Sequence, residues 1–181
     1  QEAISSGMRH TMIKGDKAIT TYRDHGHMIT AGSCPKKIMA ELMGRRDGSS
    51  KGKGGSMHLF DIEKHLYGGH GIVGASVPIG AGLAFADKYL GNNNVTYCYF
   101  GDGAAHQGQV YEAFNMAKLW NLPVLFIIEN NQYIEQKLQE NNFLLYNLSE
   151  IIPFTIVGSQ ILNSGNENEN FTGKLDFHRL M

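Results

Sequence analysis

Two short apolar runs, Val95–Phe100 (VTYCYF) and Val124–Glu129 (VLFIIE), constrain this chain more than any other feature. Both are rich in β-branched and aromatic residues, and the stretch between them, His106–Leu119, has helical composition and the length of a crossover. Strand, helix and strand make a βαβ unit, which brings the two strands side by side and parallel. Gly101-Asp102-Gly103 follows the first run and Asn130-Asn131 the second, so both lie at carboxyl ends on one edge of the sheet. Open parallel sheets take ligands at that edge, and an acid beside an amide there predicts a metal-bound phosphate. GDG by itself is common; GDG after an apolar strand, with 26 residues (104–129) before Asn130-Asn131 after a second, is far more specific.

The remaining segments are read around that unit. Gln1–Ile13 predicts a short helix and Ala18–Tyr22 a strand ending in Arg23-Asp24-His25-Gly26-His27, a hydrogen-bonded loop or a wall of a site. Pro35 stands in a first helical turn, and Ile38, Met39 and Leu42 at helical spacing predict a core-facing helix. From Asp47 to Gly71 the composition is that of loops needing close backbone approach. GKGGS lacks the GxxxxGK[ST] of a phosphate-binding loop, and Arg45, Arg46, Lys51 and Lys53 read as a solvated basic run or a phosphate-facing one. Gly69–Gly74 matches GxGxxG literally, a dinucleotide fingerprint, but its preceding residues read as loop and no acid follows about twenty positions on at a second strand end. Ala75–Leu90 predicts a helix whose small residues admit a close neighbour. After Tyr133 the glycines thin out, asparagines accumulate, and Ile151–Val157 predicts one strand, placed at an edge by Pro153. The end from Asn163 is expected to be mobile.

At 181 residues, 42% hydrophobic and 18% charged, one domain is expected. A formal net charge of -1 argues against nucleic acid and acidic membranes as partners. Cys34 and Cys98 are too few for a disulfide scaffold, which fits a reducing compartment. No secretory leader is expected, and Ile72–Ala86, broken by Pro78, is too short to span a bilayer. Gln1 falls inside a predicted helix, so further residues are expected upstream.

The segment GDGAAHQGQVYEAFNMAKLWNLPVLFIIENNQY closely resembles the pyruvate dehydrogenase E1 α-subunit family of thiamin diphosphate enzymes. TYRDHGH, GRRDGSSKGKGGSMHLF and GGHGIVGASVPIGAGLAFA follow the order and spacing of that family. The resemblance covers Gln1 to about Tyr133. It implies an α/β fold, a parallel sheet flanked by helices of the thiamin diphosphate-binding kind, incomplete relative to the family. Residues 1–133 would be the diphosphate-type domain and 134–181 a divergent, partly disordered tail.

By motif, the resemblance assigns Mg²⁺ to Asp102, the Asn131 side chain and the Tyr133 carbonyl, and the diphosphate to Gly103, Ala104, Tyr22 and Arg23. The backbone of Gly71-Ile72-Val73 would hold the aminopyrimidine, so the GxGxxG segment becomes a loop at a different cofactor. His25, His27, His58 and His70 are candidates for touching substrate or acyl intermediate, with a plain loop histidine the alternative at each. The implied reaction decarboxylates a small 2-oxo acid, pyruvate, and passes the acetyl unit to a lipoyl group of an E2 component. A β subunit would complete the site in an α2β2 heterotetramer, in the cytoplasm of a bacterium or the mitochondrial matrix of a eukaryote.

Two departures stand out. His106 replaces the asparagine common in GDGAANQG, and nothing after Tyr133 follows the family. A shifted frame, a divergent gene or a gene fragment would each give such a tail. The other readings are an acetoin or branched-chain 2-oxo acid dehydrogenase α chain, an inactive fragment that only pairs with a subunit, and a nicotinamide-binding domain built on Gly69–Gly74.

Overall fold

The computed structural model describes residues 1–131 and the backbone of 156–159. Its elements in order are helix α1 (Glu2–Thr11), strand β1 (Lys17–Thr21), helices α2 (His25–Thr30) and α3 (Pro35–Leu42), strand β2 (Leu66–His70), helix α4 (Ser76–Leu90), strand β3 (Thr96–Gly101), helix α5 (Gly108–Leu119), and strands β4 (Val124–Asn130) and β5 (Ile156–Ser159). The strands form one parallel sheet in the order β2-β1-β3-β4-β5. Thr96 pairs with Val124 and Gly101 with Glu129, an unbroken register that delivers Asp102 and Asn130-Asn131 to the same edge.

Alternation along the strands sorts the core into two layers, as a sheet buried on both faces requires. Ile19, Cys98, Phe100, Phe126 and Ile128 point to one face and pack with Val77, Ala81, Val110 and Ala113 of α4 and α5. Ala18, Tyr97, Tyr99 and Ile127 point to the other, where Met28 of α2, Ala31 just after it and Ile38 of α3 cover them, with Ile4 and Met8 of α1 packed against the same cluster. The small residues of α4 let it lie almost on the sheet: a Cβ at Gly80 would stand 2.7 Å from Cys98 Sγ.

Three expectations are corrected. Leu66–His70, read as loop, is the edge strand β2 beside β1, because the parallel ladder supplies backbone partners that a glycine-rich segment cannot find alone. His25-Gly26-His27, read as loop, is the first turn of α2, a helix held by burial of His27 and Met28 rather than by propensity. In α3 the buried residues are Ile38 and Glu41, whereas Met39 and Leu42 are 58% and 39% exposed. The strand expected over Ile151–Val157 appears as β5, shifted to Ile156–Ser159, at the sheet edge beyond β4. Tyr133, Pro153 and the end from Asn163, expected to be mobile, lie outside the described residues.

Candidate functional site

Where β1, β3 and β4 end, the sheet opens into a cavity of about 260 Å³. Each strand contributes residues at or just past its carboxyl end. Tyr22 and Arg23 come from β1, Gly101 to Ala104 from β3, and Asn130 and Asn131 from β4. His70 and Ile72 to Gly74 enter from β2 and the turn before α4. The candidates Tyr22, Arg23, Val73, Asp102, Gly103, Ala104 and Asn131 therefore meet around one space, although 109 positions separate the first from the last. Gly71 is adjacent to the lining but not part of it, and neither are Lys51 and Lys53, both exposed.

The donor set suits a metal-bound phosphate. Asp102 is 4% exposed, a carboxylate held at a cavity wall. Gly103 precedes a short 3-10 turn, Ala104–His106, that leads into α5, so the start of a helical segment lies next to the end of β3. The Arg23 guanidinium lies over the Tyr22 ring, 5.8 Å from its centroid, at the exposed side. His106 is exposed, so the change from asparagine falls outside the packed wall. The turn before α4 is fixed from the start of α5: Gln109 Nε2 donates to Val73 O at 3.1 Å and to Gln107 Oε1 at 2.7 Å.

The four histidines divide. His70 lines the cavity; its Nε2 donates to Tyr67 O at 3.3 Å, and its ring meets Phe60 edge-on. Burial lowers its pKa, opposed by the Tyr67 carbonyl and reinforced by the charge of His58, so it is neutral near pH 7. His58 and His25 stand outside the lining. His58 Nδ1 donates to Gly69 O at 3.2 Å with its ring against Gly71, and His25 Nε2 lies 3.0 Å from Ser56 Oγ. His27 is buried, 4.3 Å from the Tyr99 ring centroid, and pairs with Glu129 Oε1 at 3.0 Å. It is a wall behind the site.

Sequence reasoning missed three carboxylates. Glu129, which lines the cavity, is gripped by His27 and by Gln1 Nε2 at 2.9 Å, and the same Gln1 nitrogen donates to Arg23 O at 2.6 Å. Asp24, fully buried, accepts from Leu59 N at 3.0 Å and leaves Oδ1 without a hydrogen bond. Burial raises its pKa against the Leu59 amide and two nearby histidines. Glu41, equally buried, accepts four backbone amides, and these outweigh burial to lower its pKa. In sequence each was one acid among many; a glutamate inside an apolar helical face, as in Ala40-Glu41-Leu42, was the one available signal.

The literal dinucleotide reading gains a strand, β2, at the start of its motif but still lacks the acid it needs. The nearest acid in the expected stretch, Asp87, is buried near the end of α4, with Lys17 Nζ at 2.7 Å and Asn92 Nδ2 at 3.0 Å.

Comparison with known proteins places these residues in context. The sequence profile of the "Dehydrogenase E1 component" family matches residues 1–136. The pyruvate dehydrogenase E1 component subunit alpha of Rhizobium meliloti is 65% identical over 133 residues, which make up 74% of this chain and 38% of that protein. That of Rickettsia typhi is 66% identical over 133 residues, 74% of this chain and 41% of that one. The mitochondrial subunit of Dictyostelium discoideum is 56% identical over 133 residues, again 74% of this chain and 35% of the relative. The chain thus spans about two fifths of the length of the curated relatives it matches.

Proposed function

Since this chain belongs to the dehydrogenase E1 component family, we propose that residues 1–133 form the diphosphate-binding half of a thiamin diphosphate site in a pyruvate dehydrogenase α subunit, and that residues 134–181 are a divergent tail. The observation that carries this is the meeting of Asp102, Asn131, Tyr22-Arg23 and Val73 around one cavity at the ends of parallel strands. Relatives named as pyruvate dehydrogenase subunits favour pyruvate over acetoin or branched-chain acids.

In this reading Asp102 gives a Mg²⁺ ion its charge and Asn131 a neutral oxygen, Tyr133 adding its carbonyl, with phosphate and water completing the hard octahedral shell that the ion requires. Arg23 presents a planar fork to phosphate oxygens, and the turn at Gly103-Ala104 presents N–H groups to the same anion. Gln109 holds the Val73-Gly74 backbone for the aminopyrimidine side. Neutral His70 offers a hydrogen bond to substrate without adding charge. When bound, thiamin diphosphate supplies the carbanion that a 2-oxo acid needs to lose CO₂. Protein atoms bind, orient and exclude water.

Half a site implies partners: a β subunit bearing the carboxylate that activates the aminopyrimidine, in an α2β2 assembly, and a lipoyl-bearing E2 as acceptor. Among the described residues no helix is long and apolar enough to cross a membrane. We take the compartment to follow the source, bacterial cytoplasm or mitochondrial matrix; the relatives include bacterial subunits and one named as mitochondrial.

Calorimetry with thiamin diphosphate and Mg²⁺, with and without a β subunit, tests the reading. Mg²⁺-dependent uptake that strengthens with the partner and disappears in Asp102→Ala is expected. Unchanged uptake in Asp102→Ala would remove the assignment, and pairing with β without any uptake would leave a purely assembling fragment.

A further inference from the structure

The segment between α3 and β2 has little regular structure, yet its backbone is not left to solvent. Glu41 Oε2 accepts the amides of Ser50 and Gly52, each at 2.8 Å, and Oε1 those of Gly54 and Gly55 at 2.7 and 3.1 Å. Four N–H donors fill the four lone-pair directions of one carboxylate, and the residue is wholly buried. The loop closes tightly on it: a Cβ at Gly48 would collide with Glu41 Oε2, and Lys51 takes a left-handed φ of 57° inside the curl. Such a conformation in a non-glycine residue persists only where its surroundings impose it.

Beyond the curl the chain is tied to residues that stand next to the cavity lining. Ser56 Oγ meets His25 Nε2 at 3.0 Å, His58 Nδ1 reaches Gly69 O at 3.2 Å, and Leu59 N is held by Asp24 at 3.0 Å. The His58 ring lies against Gly71, next to the cavity-lining turn Ile72–Gly74.

We propose that Glu41 is a positioning residue for the site: its carboxylate winds the loop 48–58 into the one shape that sets Ser56 on His25 and His58 against Gly69-Gly71, a layer directly behind the cavity-lining residues His70 and Ile72–Gly74. This deepens the reading above and rests on it for the identity of the site, though not for the geometry of the loop. Glutamine in place of Glu41 turns one acceptor head into a donor. Two amides then face an NH₂ group, and half of the curl comes undone.

The test uses the full chain with its β subunit. In the unaltered protein, hydrogen exchange at Ser50, Gly52, Gly54 and Gly55 is expected to run at least about tenfold slower than in an unstructured peptide; free-peptide rates would overturn the proposal. In Glu41→Gln the same four amides should lose protection together, trypsin should cut after Lys51 and Lys53 at least about tenfold faster, and β3 amides should keep their protection. The His25 and His58 imidazole NMR signals should move, which loss of a merely supporting contact would not cause, and Glu41→Asp should restore them in part. Unmoved signals with a loosened loop would sink the positioning role. If Glu41→Gln fails to fold, the exchange rates of the unaltered protein and the signals of Glu41→Asp still decide. A protein that shows all this but takes up no thiamin diphosphate would refute the function proposed above and leave the role of Glu41 in the loop standing.

Discussion

The βαβ unit from β3 to β4 and the glycine-rich segment from Asp47 to Gly71 reach the same cavity by opposite means. The first is held by oil. Phe100, Ile128, Val110 and Cys98 have no exposed surface, and an even parallel register carries Asp102 and Asn130-Asn131 to the edge. The second has one fully buried large apolar residue between Asp47 and the start of β2, Leu59; hydrogen bonds from its backbone to Glu41 and Asp24 do what packing does elsewhere. A site wall needs both kinds. Apolar burial fixes rigid elements, whereas a loop that must expose polar groups to a ligand can be shaped only by satisfying its own amides.

The comparison predicts a hierarchy of effects. Phe100→Ala should be the most damaging, costing about 3–5 kcal/mol by denaturant titration, because the cavity it leaves cannot collapse between α5 and the sheet. A loss below about 1 kcal/mol would mean that this half is not packed as described. Next comes Glu129→Ala, which strips His27 and Gln1 of a shared acceptor and should cost roughly 1–3 kcal/mol. It should also weaken cofactor binding, since Gln1 then holds Arg23 from one side only. Equal stability of mutant and parent would remove Glu129 from the wall.

Within the polar half, Asp24 and Glu41 are a sharper pair, for both are buried and their pKa values move in opposite directions. Desolvation raises both; the amides of Leu59 and of Asp24 itself, with His25 and His27, fail to reverse it at Asp24, and four amides succeed at Glu41. Asp24 keeps its proton in the folded chain at pH values where the unfolded chain has released it, so stability falls as pH rises from the usual carboxylate range to the raised value. Asp24→Asn, which retains an acceptor for Leu59, should abolish that decline while changing stability at low pH by less than about 1 kcal/mol. A parent-to-mutant difference that is flat from pH 3 to 8 would contradict the shift. Glu41 has the reverse sign: its contribution is present above the ordinary glutamate pKa and lost as pH falls through the depressed one.

The mildest probe costs no stability. Cys34, exposed at the start of α3, has its thiol pKa lowered by the amides of Lys37 and Lys36, while burial pushes the Cys98 thiol far up. Iodoacetamide should label Cys34 alone in the folded protein, with a half-maximal rate below the pH of a free cysteine, and Cys98 only after unfolding. Labelling of both at equal rates would show that β3 is not buried as described.

Legibility followed the same divide. The helix α4 and the strands β3 and β4 were readable because apolar periodicity is a local property, written into consecutive residues. Met39 and Leu42 misled because helical spacing shows that two residues share a face without showing what covers it; Glu41, polar and unremarked, took the buried place. Strand β2 was unreadable because Leu-Tyr-Gly-Gly-His forms a strand only when β1 lies beside it. His27 read as a loop residue because its partner, Glu129, is 102 positions away.

By itself, then, the sequence determined a parallel βαβ unit with an acid and two amides at one edge, and through its motifs a family. Tertiary structure alone decided which distant residues gather at and behind that edge: His70 and Glu129 in the cavity lining, His25 and His58 behind it, and the buried carboxylates of Asp24 and Glu41 holding the loop beyond. The physical reason is one of range. Burial of apolar side chains is signalled every two or every three to four residues, but a hydrogen-bond partner carries no mark in the sequence of the group that will find it.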